Sequence, residues 1–409
     1  MSPTPINFPS RIMAFAKQIG MLGGSTFVTG GAVRDHLLGI ESKDIDLEVH
    51  GISPDTLEAT IQNFPPAKEV GRQFGVWKLL PRFEEEQEVD IAIPQVDGEP
   101  APHVGIHAAA QRRDLRINAM AYNVLTHEII DPFKGIADLN NRILRATDPF
   151  HFSTDVLRVF RACQFAARLN CTIAPELQEL CAQLTQEERF LELSKERVWT
   201  EFTKAWRKSP QPHIAIEWMF QFGALQRYFP IYATLDTTAK NNVIASLQRG
   251  ASFRTEDAGR DMGLFWSLML LPFSPEDSAA LLTQLSIERF MGFPIATAVM
   301  VVKDSTPLLQ QTHSRIVQNR CAEWFALDFL CDVAYAHTPT PTLDDNRMQA
   351  THRGLMDAPL PKLLSGHEII ALGYKGAEIG HWMDRVRTEQ IEERIHTKED
   401  ALHFLEMNK

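Results

Sequence analysis

The chain has 409 residues, 44% of them hydrophobic, and a formal net charge of −11. That length and apolar content allow two or more buried cores and exclude a globally disordered chain. The acidic balance argues against a broad nucleic-acid-coating surface while leaving room for a local basic groove, and no run of roughly 18 apolar residues exists to span a bilayer.

The opening residues, MSPTPINFPS, lack a basic-then-apolar leader pattern, so a cytoplasmic protein is expected. "STFVTGG" (Ser25–Gly31) reads as a short strand ending in glycine, and "AVRDHLLG" as a helix stopped by Gly39. In "DIDLEVHG", Asp44, Asp46 and Glu48 alternate with Ile45, Leu47 and Val49, the pattern of a strand with one acidic face. "GVWKLLP" and "EVDIAIP" read as two more strands, separated by the acidic turn "RFEEEQ". "RRDLRINAMAYNVL" (Arg112–Leu125) reads as a helix running into a strand, and "EIIDPFKGIADLNNRILRAT" as a strand, a loop and a short helix. Beyond about residue 150 the strand signal fades. Helical periodicity takes over, punctuated by Pro175, Pro210, Pro230, Pro272 and Pro275. "HTPTPT" (His337–Thr342) reads as a linker, and Thr397 with Asp400 as a capping box before the helix "ALHFL". The five cysteines are odd in number and form no CxxC pair, which argues against zinc and a disulfide framework and for small core residues.

The Gly30–Gly51 stretch carries the chemistry. A strand ending in Gly-Gly lets backbone approach a ligand closely, and the start of the next helix offers N–H groups to phosphate oxygens. Arg34 is positioned to add a charge-assisted contact. Acids at i and i+2 of a strand share a face, as Mg²⁺-dependent phosphoryl transfer needs. Separately, a Gly-Gly turn is often only a turn and an acid pair only a solvated face. Their combination and order point to nucleotidyl transfer.

"GGAVRD…KDIDLEVHG" resembles the first signature of the class II tRNA nucleotidyltransferase and bacterial poly(A) polymerase family. "VGRQFGVWKLLP…EVDIAIP" (Val70–Pro94) is similar to its strand pair. "RRDLRINAMAYN", "DPFKGIADLNNRILRATDPFHF", "DVLRVFRACQFAARLN" and "LSKERVWTEF" resemble its later motifs in order, and "LLSGHEIIALGYKGAEIGHWMDRV" (Leu363–Val386) resembles its tail. The resemblance implies an α+β fold: a polymerase-β-like nucleotidyltransferase head over residues 1–149, then an all-helical neck (150–230), body (231–336) and tRNA-binding tail (343–409). It implies an enzyme that builds or repairs the CCA end of tRNA from CTP and ATP with Mg²⁺, with tRNA as partner and no membrane. CC-adding, A-adding and poly(A)-adding chemistries, and a catalytically idle RNA-binding relative, are the alternatives.

By that resemblance Asp44 and Asp46 ligate the metals, and Gly31 and Arg34 belong to the nucleotide site. Arg113, Asp114 and Asn118 would read ribose and phosphates; a salt-bridged helix face is the alternative for that segment. Asp90 fits either a third acid of the cluster or a structural acid. In "DVLRVFRACQFAARL", Val156, Phe160, Cys163 and Ala167 form an apolar stripe, with Asp155, Arg158 and Arg161 opposite. That arc is either a solvated face or a base-reading surface. A carboxylate accepts from the amino group of cytosine or adenine while an arginine donates to the ring nitrogen; uracil and guanine present the reverse pattern. Arg161 would contact phosphate or hold the others.

Two departures stand out. Thr154 occupies a place where the family usually has an acid that orients the arginine. The 95–111 connection is short for the family, which hints at partial, CC-only addition. Cations between Arg158 and Lys208, among them Arg168, Arg189, Lys204 and Arg207, suggest a wall for an RNA backbone, with Glu196, Arg197 and Glu201 as braces. "DAGRDMGLFWSLMLLPF" (Asp257–Phe273) lacks the paired His-Asp of a phosphohydrolase module, so no such activity is expected.

Overall fold

The structure, a computed structural model, describes residues 6–42, 45–71, 76–81, 88–96, 98–356 and 358–408. The chain divides into two compact units: Met1–Ala205 with Trp218–Tyr228, and Trp206–Glu217 with Phe229–Lys409.

The first unit begins with α1 (Ser10–Met21), β1 (Ser25–Thr29), α2 (Gly31–Leu37), β2 (Ile45–His50) and α3 (Pro54–Ile61). There follow β3 (Ala67–Gly71), β4 (Val76–Leu79), β5 (Val89–Ala92), the small hairpin β6 (Gln95–Val96) and β7 (Glu99–Pro100), and α4 (Ile106–Gln111). Then come β8 (Ala121–Asn123), β9 (Ile129–Ile130), α5 (Gly135–Asn140), β10 (Ile143–Leu144), α6 (Pro149–Ser153), α7 (Arg158–Leu169), β11 (Thr172–Ile173), α8 (Pro175–Thr185), α9 (Lys195–Lys208), α10 (His213–Gln221) and α11 (Ala224–Tyr228). The division between units falls inside α9 and α10.

Seven strands form one mixed sheet in the order β3-β4-β5-β2-β1-β8-β9. β2 runs parallel to β5 and antiparallel to β1. Period-two alternation decides which face is core: Leu47, Val49, Trp77, Leu79, Val89 and Ile91 are all buried. Asp46, Lys78 and Asp90 occupy the alternate positions and are less covered.

The expected helix at Arg112–Leu125 is not an α-helix. Only Arg116–Asn118 winds, as a 3₁₀ turn, before β8. The Asp114 carboxylate accepts the Leu115 N–H at 2.7 Å, a local bond that competes with helical pairing. The helix expected from Asp155 starts at Arg158 for a similar reason, since Asp155 Oδ1 accepts the Leu157 N–H at 3.2 Å. Its apolar stripe is as expected, with Val156, Phe160, Cys163 and Ala167 all buried.

The second unit is helical: α12 (Thr237–Gly250), α13 (Ala258–Leu270), α14 (Pro275–Gln284), α15 (Ile295–Gln311), α16 (Arg315–Trp324), α17 (Leu327–His337), α18 (Pro341–His352), α19 (Gly366–Ala371), α20 (Ala377–Ile391) and α21 (Lys398–Met407). Helix α13, covered on nearly every side, packs on α12, α15 and α17. Two prolines that read as breakers, Pro175 and Pro275, open helices instead, and Pro341 of the expected linker also sits in a first turn.

The expected linker at His337–Thr342 is a tight helix–helix turn. Thr338 O accepts from Gln310 Nε2 at 3.0 Å, Thr340 Oγ1 donates to Gln310 O at 3.2 Å, and Thr340 caps α18 through Leu343 N. Within the same unit α19, α20 and α21 close a small core around Ile369, Tyr374, Val386 and Leu405. Among the described residues no helix is long and apolar enough to cross a membrane.

The capping box is present: Thr397 accepts from Asp400 N, and the Asp400 side chain accepts from Thr397 N. Thr397→Ala is expected to cost about 1 kcal/mol in urea unfolding and to raise amide exchange first in α21.

Candidate active site

β1 ends at Thr29, and Gly30 turns the chain into α2 with φ 72°. A side chain at Gly30 would be strained, and its Cβ would stand 3.0 Å from Arg113 Nη1. Gly31 and Arg113 therefore sit at the same sheet edge. Arg113 Nη2 donates to Glu48 Oε2 at 3.0 Å, and Glu48 Oε1 lies 2.8 Å from His50 Nε2. Burial pushes the Glu48 carboxyl up. The hydrogen bond from His50 and the charge of Arg113 outweigh that and hold it below the usual range. His50 Nδ1 meets Val104 O at 2.8 Å, and Gly51 N donates to Pro102 O at 2.7 Å. These bonds tie part of the short 95–111 connection to the end of β2.

The acids line up by strand register. Asp46 on β2 is the direct partner of Asp90 on β5, and Asp90 is the partner of Lys78 on β4. Paired residues project to the same face, with strands about 4.8 Å apart. Asp46 is exposed, while Asp90 is half-buried, with Lys78 Nζ 3.1 Å from its Oδ1. Asp44 lies outside the described residues. No three His, Cys, Asp or Glu side chains among the described residues converge on a metal position. Mg²⁺ takes few carboxylates and completes its shell with water and substrate phosphate. Two carboxylates in directly paired positions on one sheet face suit that demand.

Behind this edge lies a buried polar chain. Asp114 Oδ2 accepts from Arg161 Nε at 2.9 Å and Nη2 at 2.6 Å, while Oδ1 accepts from Asn118 Nδ2 at 3.1 Å as well as from Leu115 N. Four donors fill the about four lone-pair sites of a carboxylate. Burial raises the Asp114 carboxyl, but the Arg161 charge and these hydrogen bonds win and hold it below its ordinary range. Asp114, expected at the ribose, is in this structure the hub of these four bonds. Asn118 Oδ1 in turn accepts from Arg34 Nη1 at 2.6 Å.

Arg34, expected to meet phosphate, is 2% exposed. Its Nε and Nη2 donate to Asp35, and its guanidinium lies over the Phe165 ring at 5.2 Å. It braces α2 against the 3₁₀ turn and α7. Arg161 lies 5.5 Å from the same ring, with Glu201 of α9 3.8 Å from its Nη1.

Asp155 and Arg158 stand at the start of α7. Asp155 Oδ2 pairs with Arg197 Nη2 at 2.6 Å. Arg158 donates to His151 O at 2.5 Å and Arg112 O at 2.9 Å. Thr154 Oγ1 donates to that same His151 carbonyl at 2.7 Å. Backbone carbonyls therefore orient this arginine where the family pattern has an acid. Several cations of the expected RNA wall are ion-paired: Arg168 with Asp35, Arg189 with Glu187, Lys204 with Glu201 and Arg207 with Asp261.

Residues 26–145 match the family described as the poly A polymerase head domain. Curated relatives include the multifunctional CCA proteins of Mannheimia succiniciproducens, 38% identical over 223 residues (51% of this chain, 50% of the relative), and Haemophilus influenzae, 39% identical over 217 residues (50% and 49%). The chain spans about half the length of the curated relatives it matches. A CCA-adding enzyme in complex with ATP superposes with TM-score 0.75 at 20% identity, covering 98% of this chain and 96% of that one. The Thermotoga maritima CCA-adding enzyme complexed with tRNA gives 0.73 at 20% identity, covering 98% and 97%. These structures share the fold: a mixed-sheet head followed by a mostly helical region.

Sequence reasoning missed Lys78 and His50, whereas Arg197, expected as a brace, pairs with Asp155. Glu48 was readable as an acid on the Asp46 face, but its partners come from other segments. Asp114→Asn leaves the partly buried Arg161 with Glu201, 3.8 Å away, as its carboxylate partner, and is expected to cost about 2 kcal/mol in urea unfolding through the lost charge-assisted hydrogen bonds. The folded Asp114 carboxyl is depressed, so the wild-type advantage is present above the unfolded pKa of about 3.9. It is lost as pH falls through the lower folded value.

Proposed function

We propose that the chain is a template-independent RNA nucleotidyltransferase that builds or repairs the 3′-terminal CCA of tRNA from CTP and ATP, releasing pyrophosphate. The observation that carries this reading is the register of Asp46 with Asp90 beside Gly30 and Arg113, in a head-domain sequence. The likeness to CCA-adding enzymes solved with ATP, with CTP and with tRNA supports the substrate class. The division of the helical region into neck, body and tRNA-binding tail is part of the same proposal.

Asp46, with Asp44 and Asp90, would hold Mg²⁺. Bound there, Mg²⁺ supplies Lewis acidity toward the RNA 3′-hydroxyl and the pyrophosphate leaving group. Gly31 and Arg113 line the edge where the triphosphate enters. Asp155 accepts from the amino group of cytosine or adenine, and Arg158 donates to the adjacent ring nitrogen. Arg197 and the carbonyls of His151 and Arg112 hold those two side chains in place. Asn118, Asp114, Arg161 and Arg34 act from behind, as braces.

A second reading, addition of CC alone, is favoured by the pinned 95–111 connection and by Thr154 in place of an acid. One gel assay separates the readings. Purified protein is incubated with Mg²⁺, a labelled tRNA lacking its CCA end, and CTP, ATP or both. Growth by three nucleotides with both triphosphates is expected. Growth by two C residues supports the second reading, and a long A tail points to poly(A) addition. No growth overturns nucleotidyl transfer.

Asp46→Ala is expected to reduce incorporation by at least about 10³-fold while tRNA binding persists; near-wild-type incorporation contradicts the metal assignment. Arg158→Ala is expected to relax discrimination against UTP about tenfold, from loss of a buried base contact. Unchanged discrimination rejects its reading role.

A further inference from the structure

The sheet face that carries the acids also carries a cation the reading above leaves unused. Lys68 on β3 pairs with Lys78 on β4, Lys78 pairs with Asp90 on β5, and Asp90 pairs with Asp46 on β2. Four strands thus present one row that runs from positive to negative across the sheet. Lys78 Nζ donates to Glu88 Oε2 at 3.0 Å and lies 3.1 Å from Asp90 Oδ1. The contact with Glu88 is a hydrogen bond. The contact with Asp90 is an ion pair as well, so Lys78 bridges the two carboxylates.

Two carboxylates in directly paired positions of neighbouring strands repel each other. Lys78 offsets that repulsion from the Asp90 side, since it is paired with Asp90 across β4 and β5. The Lys78–Asp90 pair is partly exposed, and an ion pair of that kind is weak enough for a divalent cation to displace. Glu88 gives the lysine a second anchor, so it keeps a carboxylate partner when it leaves Asp90.

We propose that Lys78 is the resident counter-ion of the acidic row: it neutralises Asp90 while no metal is bound, is displaced from Asp90 by a divalent cation held between Asp46 and Asp90, and thereby sets the metal affinity of the head. The proposal rests on the metal-binding reading of Asp46. Lys78 is a positioning residue in this account, and Asp90 is a ligand whose availability it controls.

The test uses Mn²⁺ as probe and reads the free ion by electron paramagnetic resonance, with the full chain and no RNA or nucleotide. Lys78→Met is expected to bind Mn²⁺ about threefold tighter, the size an exposed ion pair allows. Lys78→Arg keeps the charge and is expected to stay at wild-type affinity. Asp90→Asn is expected to weaken binding and to abolish the gain from Lys78→Met in the double variant. Lys17→Met, on α1, removes the same charge outside this row and is expected to change nothing. That pattern supports the proposal even where the transfer assay fails, because no nucleotide chemistry enters the readout. Wild-type affinity in Lys78→Met, an equal gain in Lys17→Met, or a gain that survives Asp90→Asn each overturns it, as does a wild type that binds no Mn²⁺. Thermal unfolding of each variant reports whether the fold is intact, and Lys78→Arg keeps the result interpretable if Lys78→Met is destabilised.

Discussion

The register between β2 and β5 is the constraint on which the site depends. Because side chains alternate along a strand, a slip of one residue would turn Asp46 and Glu48 into the core and bring Leu47 and Val49 out. Leu47, Val49, Val89 and Ile91 are buried, so burial of those four apolar side chains is what holds two acids in adjacent positions on the other face. The repulsion between those acids is small beside the apolar burial lost in a slip. The head therefore tolerates an acidic row on its exposed side, and Lys78 lowers its cost.

Behind that face the Asp114 hub does a different job. It ties together three elements that contribute to the site: α2 through Arg34 and Asn118, the 3₁₀ turn through Leu115 and Asn118, and α7 through Arg161. Every lone pair of the carboxylate is in use, and both arginines also lie against Phe165. A buried carboxylate with all acceptor sites filled and a full positive partner is rigid, because losing any one donor leaves charge uncompensated in a low dielectric. This rigidity fixes where Arg113, one residue before the hub, meets the edge near Gly30. It also fixes where α7 begins, and so where Asp155 and Arg158 stand.

The parts of the fold set by periodicity were legible in the chain. Alternation in "DIDLEVHG" predicts the faces of β2, the spacing of Val156, Phe160, Cys163 and Ala167 predicts the buried stripe of α7, and Thr397 with Asp400 predicts a cap. What alternation does not carry is strand order. Lys78 becomes a partner of Asp90, and Asp90 of Asp46, only once β5 is known to lie between β4 and β2. For the same reason the roles of Arg34 and Asp114 read differently from sequence. A short motif shows that an arginine and a carboxylate are present, but saturation of Asp114 requires Arg161 from a distant helix. The turn at His337–Thr342 misleads because proline and threonine mark loops and helix starts alike, and here they make a cap.

The most direct test of the account is anomalous diffraction from crystals grown with Mn²⁺ and CTP. The account places the Mn²⁺ peak between the carboxylates of Asp46 and Asp90, with triphosphate oxygens completing the shell beside Gly31 and Arg113 and with Lys78 turned toward Glu88. A peak elsewhere on the head, or the two carboxylates facing apart with CTP bound away from that edge, would contradict it.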